Sequence, residues 1–318
     1  MTFKEKPPWW GGDLQTIRNF LCAGEIELPG QSKVLTIPTN DGTGDEIMAS
    51  LDTPFGDVLG PLIILIHGLT GSENSAYMLT TSRYHLRKGS RVLRLNLRGA
   101  GPTAKTCQKH YHGGHISDIS DALDYLDEDI KSRGVFIIGF SLGGNILLNF
   151  LAENKDYNLL GAAVVSASID PKSAAEKLLS PRNKIYQSRL LRHMKEEYLS
   201  KRNDLSKTDK ELMLKCKSIY EFDDKITGPK NGYKDAEDYY FQTKSARKID
   251  TIKIPLLIIS ARNDPWIPIG AYETIAKDNQ KNVTVLITDC GGHVGFHEKG
   301  QVETWYDRQI DQFISDLF

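Results

Sequence analysis

Three residues whose types could together activate a nucleophile occur in one order along the chain, each in a glycine-rich or turn-forming segment. Ser141 lies in GFSLGG, Asp264 in ISARNDPWIP and His293 in DCGGHVGF. A serine hydroxyl is a poor nucleophile at neutral pH. A neutral imidazole must take its proton, and a buried carboxylate must hold that imidazole in the right tautomer and steady its positive form. Gly139, Ser141 and Gly143 spell G-x-S-x-G, a turn that places serine at a strained backbone position while its neighbours approach too closely for side chains. The turn is a nucleophile elbow. It points the Leu142 N–H, at a helix start, toward a developing oxyanion, and the Leu69 N–H in HGLTG is the expected second donor.

Other candidates for these roles are near at hand. Asp289 is an alternative acid four residues before His293 and is read as a turn former. His297 is expected to be a surface or capping residue at the start of the last helix, and His67 to orient its own loop. His110, His112 and His115 lack a carboxylate or cysteine at ligand spacing on one element, so neither a catalytic metal nor any cofactor is expected.

The elements that must position these residues alternate. Val135 to Ile138 is a strand that feeds the elbow, and a helix runs on from Asn145 to Ala152. Strands are also expected at Leu62–His67, Arg91–Asn96, Gly161–Ala167, Pro255–Ser260 and Val283–Ile287, with helices at Ser75–Lys88, Ser117–Ile130 and Val302–Phe318. Val34–Pro38 and Glu46–Leu51 open the sheet as an antiparallel pair around the turn residues Asn40, Asp41 and Gly42. The opening PPWWGGDLQTI is unlike a helix and reads as an arm packed on the core through Trp9 and Trp10. Strand and helix alternation implies a mostly parallel sheet whose functional loops gather beyond the strands' carboxyl ends. Ser141, Asp264 and His293 each follow such a strand.

The stretch between the fourth and fifth parallel strands is too long for a structureless loop. Residues 170–248 are therefore read as a helical cap, with helices at Ile185–Leu199 and Leu212–Ile219 and turns from Asp223 to Gly232. The core comprises residues 1–169 and 249–318. Position over the catalytic loops makes the cap a lid, with Ile185, Tyr186, Leu190, Leu191, Met194, Tyr198, Tyr239, Tyr240 and Phe241 available to line an acyl pocket.

Composition narrows the partners. The 318 residues carry 40 Lys and Arg against 41 Asp and Glu, a net charge of -1, which leaves no electrostatic footprint for nucleic acid or an anionic membrane. Four cysteines, at 22, 107, 216 and 290, lack any C-x-x-C pair and read as reduced thiols. No apolar run approaches the roughly 18 residues that span a bilayer, and MTFKEKPPWW lacks a signal-peptide core. A cytoplasmic protein without an integral membrane segment is expected; the oligomeric state leaves no mark in the sequence.

Four stretches together resemble one family. PPWWGGDLQTI, HGLTGS with NLRGAG, YHGG before GFSLGGNILLN, and FDDKITGPKNGYKDAEDYY are similar to the bacterial YheT-type hydrolases and the ABHD1/ABHD2/ABHD3 group of the α/β-hydrolase superfamily. The chain order serine, acid, histidine is also that of α/β-hydrolases. The resemblance implies an α/β-hydrolase fold, with a mostly parallel central sheet flanked by helices and the cap inserted before the acid-bearing strand. It implies Ser141, Asp264 and His293 as nucleophile, acid and base. Eukaryotic relatives carry an N-terminal membrane anchor, which is not expected here, and Asp13 stands where the family's opening motif usually has histidine. The expected function is a cofactor-independent carboxylesterase acting on small-molecule esters of short to medium chain. A lipase, including a monoacylglycerol lipase, or a thioesterase would use the same residues, and a ligand-binding protein on a hydrolase scaffold is the reading from another class.

Overall fold

The computed structural model describes residues 3–22, 24–153, 155–200, 206–278 and 280–317. Eight strands form one sheet: β1 (Gly30–Pro38), β2 (Glu46–Pro54), β3 (Leu62–Ile66), β4 (Val92–Leu95), β5 (Val135–Phe140), β6 (Leu159–Val165), β7 (Leu256–Ala261) and β8 (Val283–Thr288). Their spatial order is β1-β2-β4-β3-β5-β6-β7-β8. β1 and β2 pair antiparallel from Gly30↔Pro54 to Pro38↔Glu46, β2 pairs antiparallel with β4, and every later pairing is parallel. The opening hairpin is as expected, with both strands longer.

Every residue of β3, β4, β5 and β7 is buried, as parallel strands covered on both faces require. The alternation of side chains splits the core in two. Ile64, Ile66, Leu93 and Ile137 face the helices Ser117–Tyr125, Leu142–Ala152 and Gly270–Asp278, whereas Ile63, Leu65, Val92 and Phe136 face the helices Ala76–Arg87 and Trp305–Ser315. Strand order jumps from β4 to β3 to β5, so the loops after β3 and β5 open side by side at the sheet's carboxyl edge.

Between β6 and β7 lie the helices Pro171–Leu179, Lys184–Ser200, Lys207–Lys215 and Ala236–Thr243, with shorter helical turns among them. Leu190, Leu191, Met194, Met213 and Phe222 form a small core of their own. Asp223 to Thr227 is a wide turn of π type continuous with helix on both sides, closed by the Gly228 N–H on the Asp223 carbonyl, where the sequence suggests separate turns. The chain keeps winding because Asp223 and Ile226 are buried there and need satisfied backbone.

Further expectations are corrected: the helix expected at Leu212–Ile219 is Lys207–Lys215, ended by the extended backbone of Cys216. PPWWGGDLQTI enters a helix, Gly11–Leu21, despite two leading glycines and no side-chain cap. Its buried residues are Gln15 and Thr16, and their bonds to distant backbone override a poor local propensity. Trp10 is largely exposed, so the expected arm contact is made by the helix rather than by that ring. The Ser117–Ile130 helix breaks at Leu126, whose extended backbone separates Ser117–Tyr125 from the turn Glu128–Lys131. The closing helix starts later, at Trp305, behind the Thr304 cap, and Phe318 lies outside the described residues.

Candidate active site

β5 delivers Ser141 at φ 52° and ψ -119°, a conformation that non-glycine residues rarely adopt. The glycines around it are fixed by close approach. A Cβ on Gly143 would stand 2.3 Å from the His67 carbonyl oxygen, and one on Gly139 would stand 2.7 Å from the Gly144 Cα. The serine hydroxyl is thereby lifted off the end of β5. Its Oγ lies 2.9 Å from His293 Nε2, and His293 Nδ1 lies 2.8 Å from Asp264 Oδ2. The other carboxylate oxygen, Oδ1, accepts the N–H groups of Trp266 at 2.7 Å and Ile267 at 3.0 Å. Asp264 and His293 are buried, and the Trp266 ring lies over the imidazole at 4.3 Å. Because Oδ2 is an acceptor, Nδ1 carries the proton and Nε2 is left free to take one.

Asp289 goes elsewhere: its side chain is exposed and pairs with Arg262. His67 is locked between two backbone groups, with Nδ1–H donating to the Gly68 carbonyl and Nε2 accepting from the Leu97 N–H, so it holds its loop. His112 and His115 touch edge to face at 5.6 Å, and the ring partners of His110 are Tyr111 and Tyr198. His115 pairs with Asp118, and burial pulls His112 down to about 3, keeping it neutral. His297 is neither on the surface nor in the last helix. It is buried before that helix, its ring meets Arg18, and burial lowers it to about 3. The expectation failed because the partner that covers it, the helix Gly11–Leu21, comes from the other end of the chain.

Around the Leu69 loop, the Gly68 N–H donates to the Tyr77 hydroxyl at 2.9 Å and the Thr70 N–H to the Tyr111 hydroxyl at 2.7 Å. Those phenols occupy the groups on either side of the Leu69 N–H. Among the described residues, neither the Leu69 nor the Leu142 N–H donates to a backbone acceptor outside regular helices and strands. Leu142 opens the helix Leu142–Ala152, whose N-terminal dipole favours negative charge.

Further residues hold the His293 and Asp264 loops. Thr16 Oγ1 accepts the His293 N–H at 2.8 Å, the Gln15 amide bonds both Trp9 and His297, and Asn19 donates to the Val294 carbonyl. Lys177 Nζ donates to the Asp264 and Ile267 carbonyls at 2.7 and 3.0 Å, and Asn183 to that of Pro265 at 2.7 Å. Burial lowers the Lys177 ammonium from its usual value. Asp13 pairs with Arg182 and accepts from Tyr186, tying the opening helix to the segment between β6 and β7. The sequence signals among these partners were Asp13, which departs from the family's opening motif, and Tyr186, read as a pocket residue; Lys177 and Asn183 carried none.

Ser141 and His293 open on a cavity of about 590 Å³. Its wall includes Leu69, Leu142, Leu178, Ile185, Tyr186, Leu190, Met194, Tyr198, Tyr239 and Tyr240. Leu191 turns into the small helical core instead, and Phe241 is exposed under Arg247. Two buried atoms of residues on the wall, Ser168 Oγ and Trp266 Nε1, have no hydrogen-bond partner among the described residues.

The model of the alpha/beta hydrolase fold family matches residues 61–300. The chain is an α/β hydrolase of the YheT and ABHD type. YheT of Escherichia coli is 31% identical over 289 residues, which cover 89% of this hydrolase and 83% of that protein. The monoacylglycerol lipase of Saccharomyces cerevisiae is 29% identical over 80% of this chain, and human phospholipase ABHD3 27% identical over 81%. The matched regions span 59% and 64% of those two relatives. An esterase of Pyrococcus furiosus shares the fold with a TM-score of 0.60 at 17% identity, covering 99% of both chains. Among the described residues no helix is long and apolar enough to cross a membrane.

Proposed function

We propose that this hydrolase is a carboxylesterase that cleaves short- to medium-chain esters through an acyl-enzyme on Ser141, with Asp264 and His293 completing the triad. The observation that carries the reading is the unbroken chain from Ser141 Oγ through His293 to Asp264 Oδ2 at the wall of a largely apolar cavity. Ser141 Oγ adds to the ester carbonyl carbon as His293 Nε2 takes its proton. The oxyanion forms against the Leu69 and Leu142 N–H groups. Collapse of the adduct expels the alcohol, which leaves with the proton from Nε2, and the acyl group stays on Ser141. Water then adds to the acyl carbonyl, giving its proton to Nε2, and the serine departs with that proton while the acid is released. Asp264 keeps its charge throughout and steadies the imidazolium.

Residues 170–248 act as the lid over a core of residues 1–169 and 249–318, and the helices of that segment supply most of the cavity's apolar wall. The monoacylglycerol lipase and phospholipase among the relatives favour a lipid-like ester as the natural substrate. A cytoplasmic location rests on the scattered thiols of the sequence. Purified protein should hydrolyse p-nitrophenyl esters, with specificity rising up to about fourfold per methylene until the pocket ends. Ser141→Ala should lose on the order of 10⁴ to 10⁶ in turnover while keeping its fold by circular dichroism. Turnover surviving that substitution would overturn the proposal.

A further inference from the structure

The wall of the cavity is not apolar throughout. Asp223 and Thr227, the first and last residues of the π turn, line it beside Tyr239 and Tyr240. The Tyr240 hydroxyl donates to Asp223 Oδ2 at 2.7 Å, and Thr227 bonds the same carboxyl. Burial pushes Asp223 up to about 6. Its hydrogen-bonding neighbours are hydroxyls rather than cations, and none of these groups enters the esterase steps above. Leaving a carboxyl in such a place is costly unless its acceptor sites are used. A carboxylate has about four of them, and two hydroxyls fill two. Single π turns inside helices concentrate at functional sites, because the extra residue turns a side chain out of the helical register.

The polar patch reaches toward the chemistry through Tyr239, whose ring lies against that of Tyr240 at 5.3 Å. Tyr239 Oη accepts the Gly113 N–H at 2.9 Å. A Cβ on Gly113 would stand 3.1 Å from that oxygen and 3.6 Å from Leu142 Cδ1, so the tyrosine tip is one side chain away from the residue after Ser141. A group entering here meets acceptors on Asp223 and hydroxyls on Thr227 and Tyr240 that both give and take hydrogen bonds. That array matches an alcohol, which does both.

We infer that Asp223, Thr227 and Tyr240 form a recognition site for a hydroxyl group on the ester, separated from the scissile carbonyl by a short carbon chain. The inference rests on the proposed esterase reading. It sets a preference within that activity: hydroxylated esters should react faster than equally long esters ending in methyl. A hydrogen bond to a charged partner that forms only with the hydroxylated substrate gives roughly tenfold or more in kcat/KM.

The test compares two pairs of substrates on the whole 318-residue chain. One pair carries the hydroxyl on the acyl side, as p-nitrophenyl ω-hydroxyalkanoates against alkanoates matched in heavy-atom count. The other carries it on the alcohol side, as 2-hydroxyethyl against propyl esters of one acid. A ratio of about ten or more in either pair supports the site and tells which half of the ester reaches it. In Asp223→Asn that ratio should fall toward one. Ratios at or below one in both pairs overturn the inference even if the asparagine variant fails to fold, since the wild type alone decides. A faster reaction with a trimethylammonium-terminated ester than with its hydroxyl counterpart also overturns it, in favour of a cation site. If none of the esters is hydrolysed, the esterase reading itself has failed, which is a different result.

Discussion

Ser141 and His293 meet across a single hydrogen bond, yet the chain holds the two in opposite ways. The serine is held by its sequence neighbours: β5 ends at Phe140, the helix begins at Leu142, and glycines within five residues let the backbones close around it. The histidine is held by residues from far along the chain. Thr16 and Gln15 of the opening helix brace its loop, while Lys177 and Asn183 brace the loop of its partner Asp264. A nucleophile that must sit in a strained conformation is best fixed by rigid elements on both sides. In the proposed mechanism His293 and Asp264 need only the right orientation, which side-chain bonds from any part of the fold can supply.

The sharpest break of this contrast is at the acid. Asp264→Asn should lower kcat by roughly 10⁴, because an amide in place of the carboxylate favours the wrong imidazole tautomer. Asp289→Asn, on an exposed side chain, should stay within a fewfold of wild type. Steady-state kinetics of both variants decide it, and the reverse order would mean that the acid assignment is wrong.

Next comes a pair that separates stability from turnover. Gly143→Ala puts a methyl within 2.3 Å of the His67 carbonyl, so backbone must shift and several kcal/mol of stability should be lost. Thr16→Val removes the partner of a buried N–H on His293 itself and should instead cost about tenfold in kcat, with little change in KM. Thermal melts and kinetics side by side test the contrast; it fails if Thr16→Val melts as early as Gly143→Ala or keeps full kcat.

This division also explains what could be read from the sequence. G-x-S-x-G and the buried strands are local or periodic signals that leave their pattern within a dozen residues, and the serine, acid, histidine order is read from three such local segments. The opening helix, the covered His297 and the Lys177 brace have no such pattern, because their stability comes from contacts between chain segments hundreds of residues apart, or between a helix and a loop. Lys177 reads as one more surface lysine until its ammonium is seen between two carbonyls. The π turn at Asp223 was missed for a related reason: its asparagine, glycine and aspartate neighbours look like turn formers, while burial keeps the chain wound.

A smaller effect concerns acid. His85, His112 and His297 are held neutral by burial, lowered to about 4, 3 and 3, whereas in the unfolded chain they titrate near 6.5. Below about pH 6.5 the unfolded state binds protons that the native state refuses, so stability falls as pH drops toward those values and is unaffected by these groups above pH 7. Each contributes up to about 1.4 kcal/mol per pH unit in that window. His297→Gln should soften the decline in urea midpoint between pH 6.5 and 4, and an unchanged pH slope would show that His297 does not carry this linkage.

The central claim is that Ser141 becomes covalently acylated, and the most direct measurement is intact mass after reaction with a fluorophosphonate. Wild type should gain one adduct that peptide mapping assigns to Ser141. Ser141→Ala should gain none, and Thr16→Val should gain the same adduct more slowly. An adduct on Ser141→Ala, or a wild type that hydrolyses esters without ever being labelled at Ser141, would contradict the account.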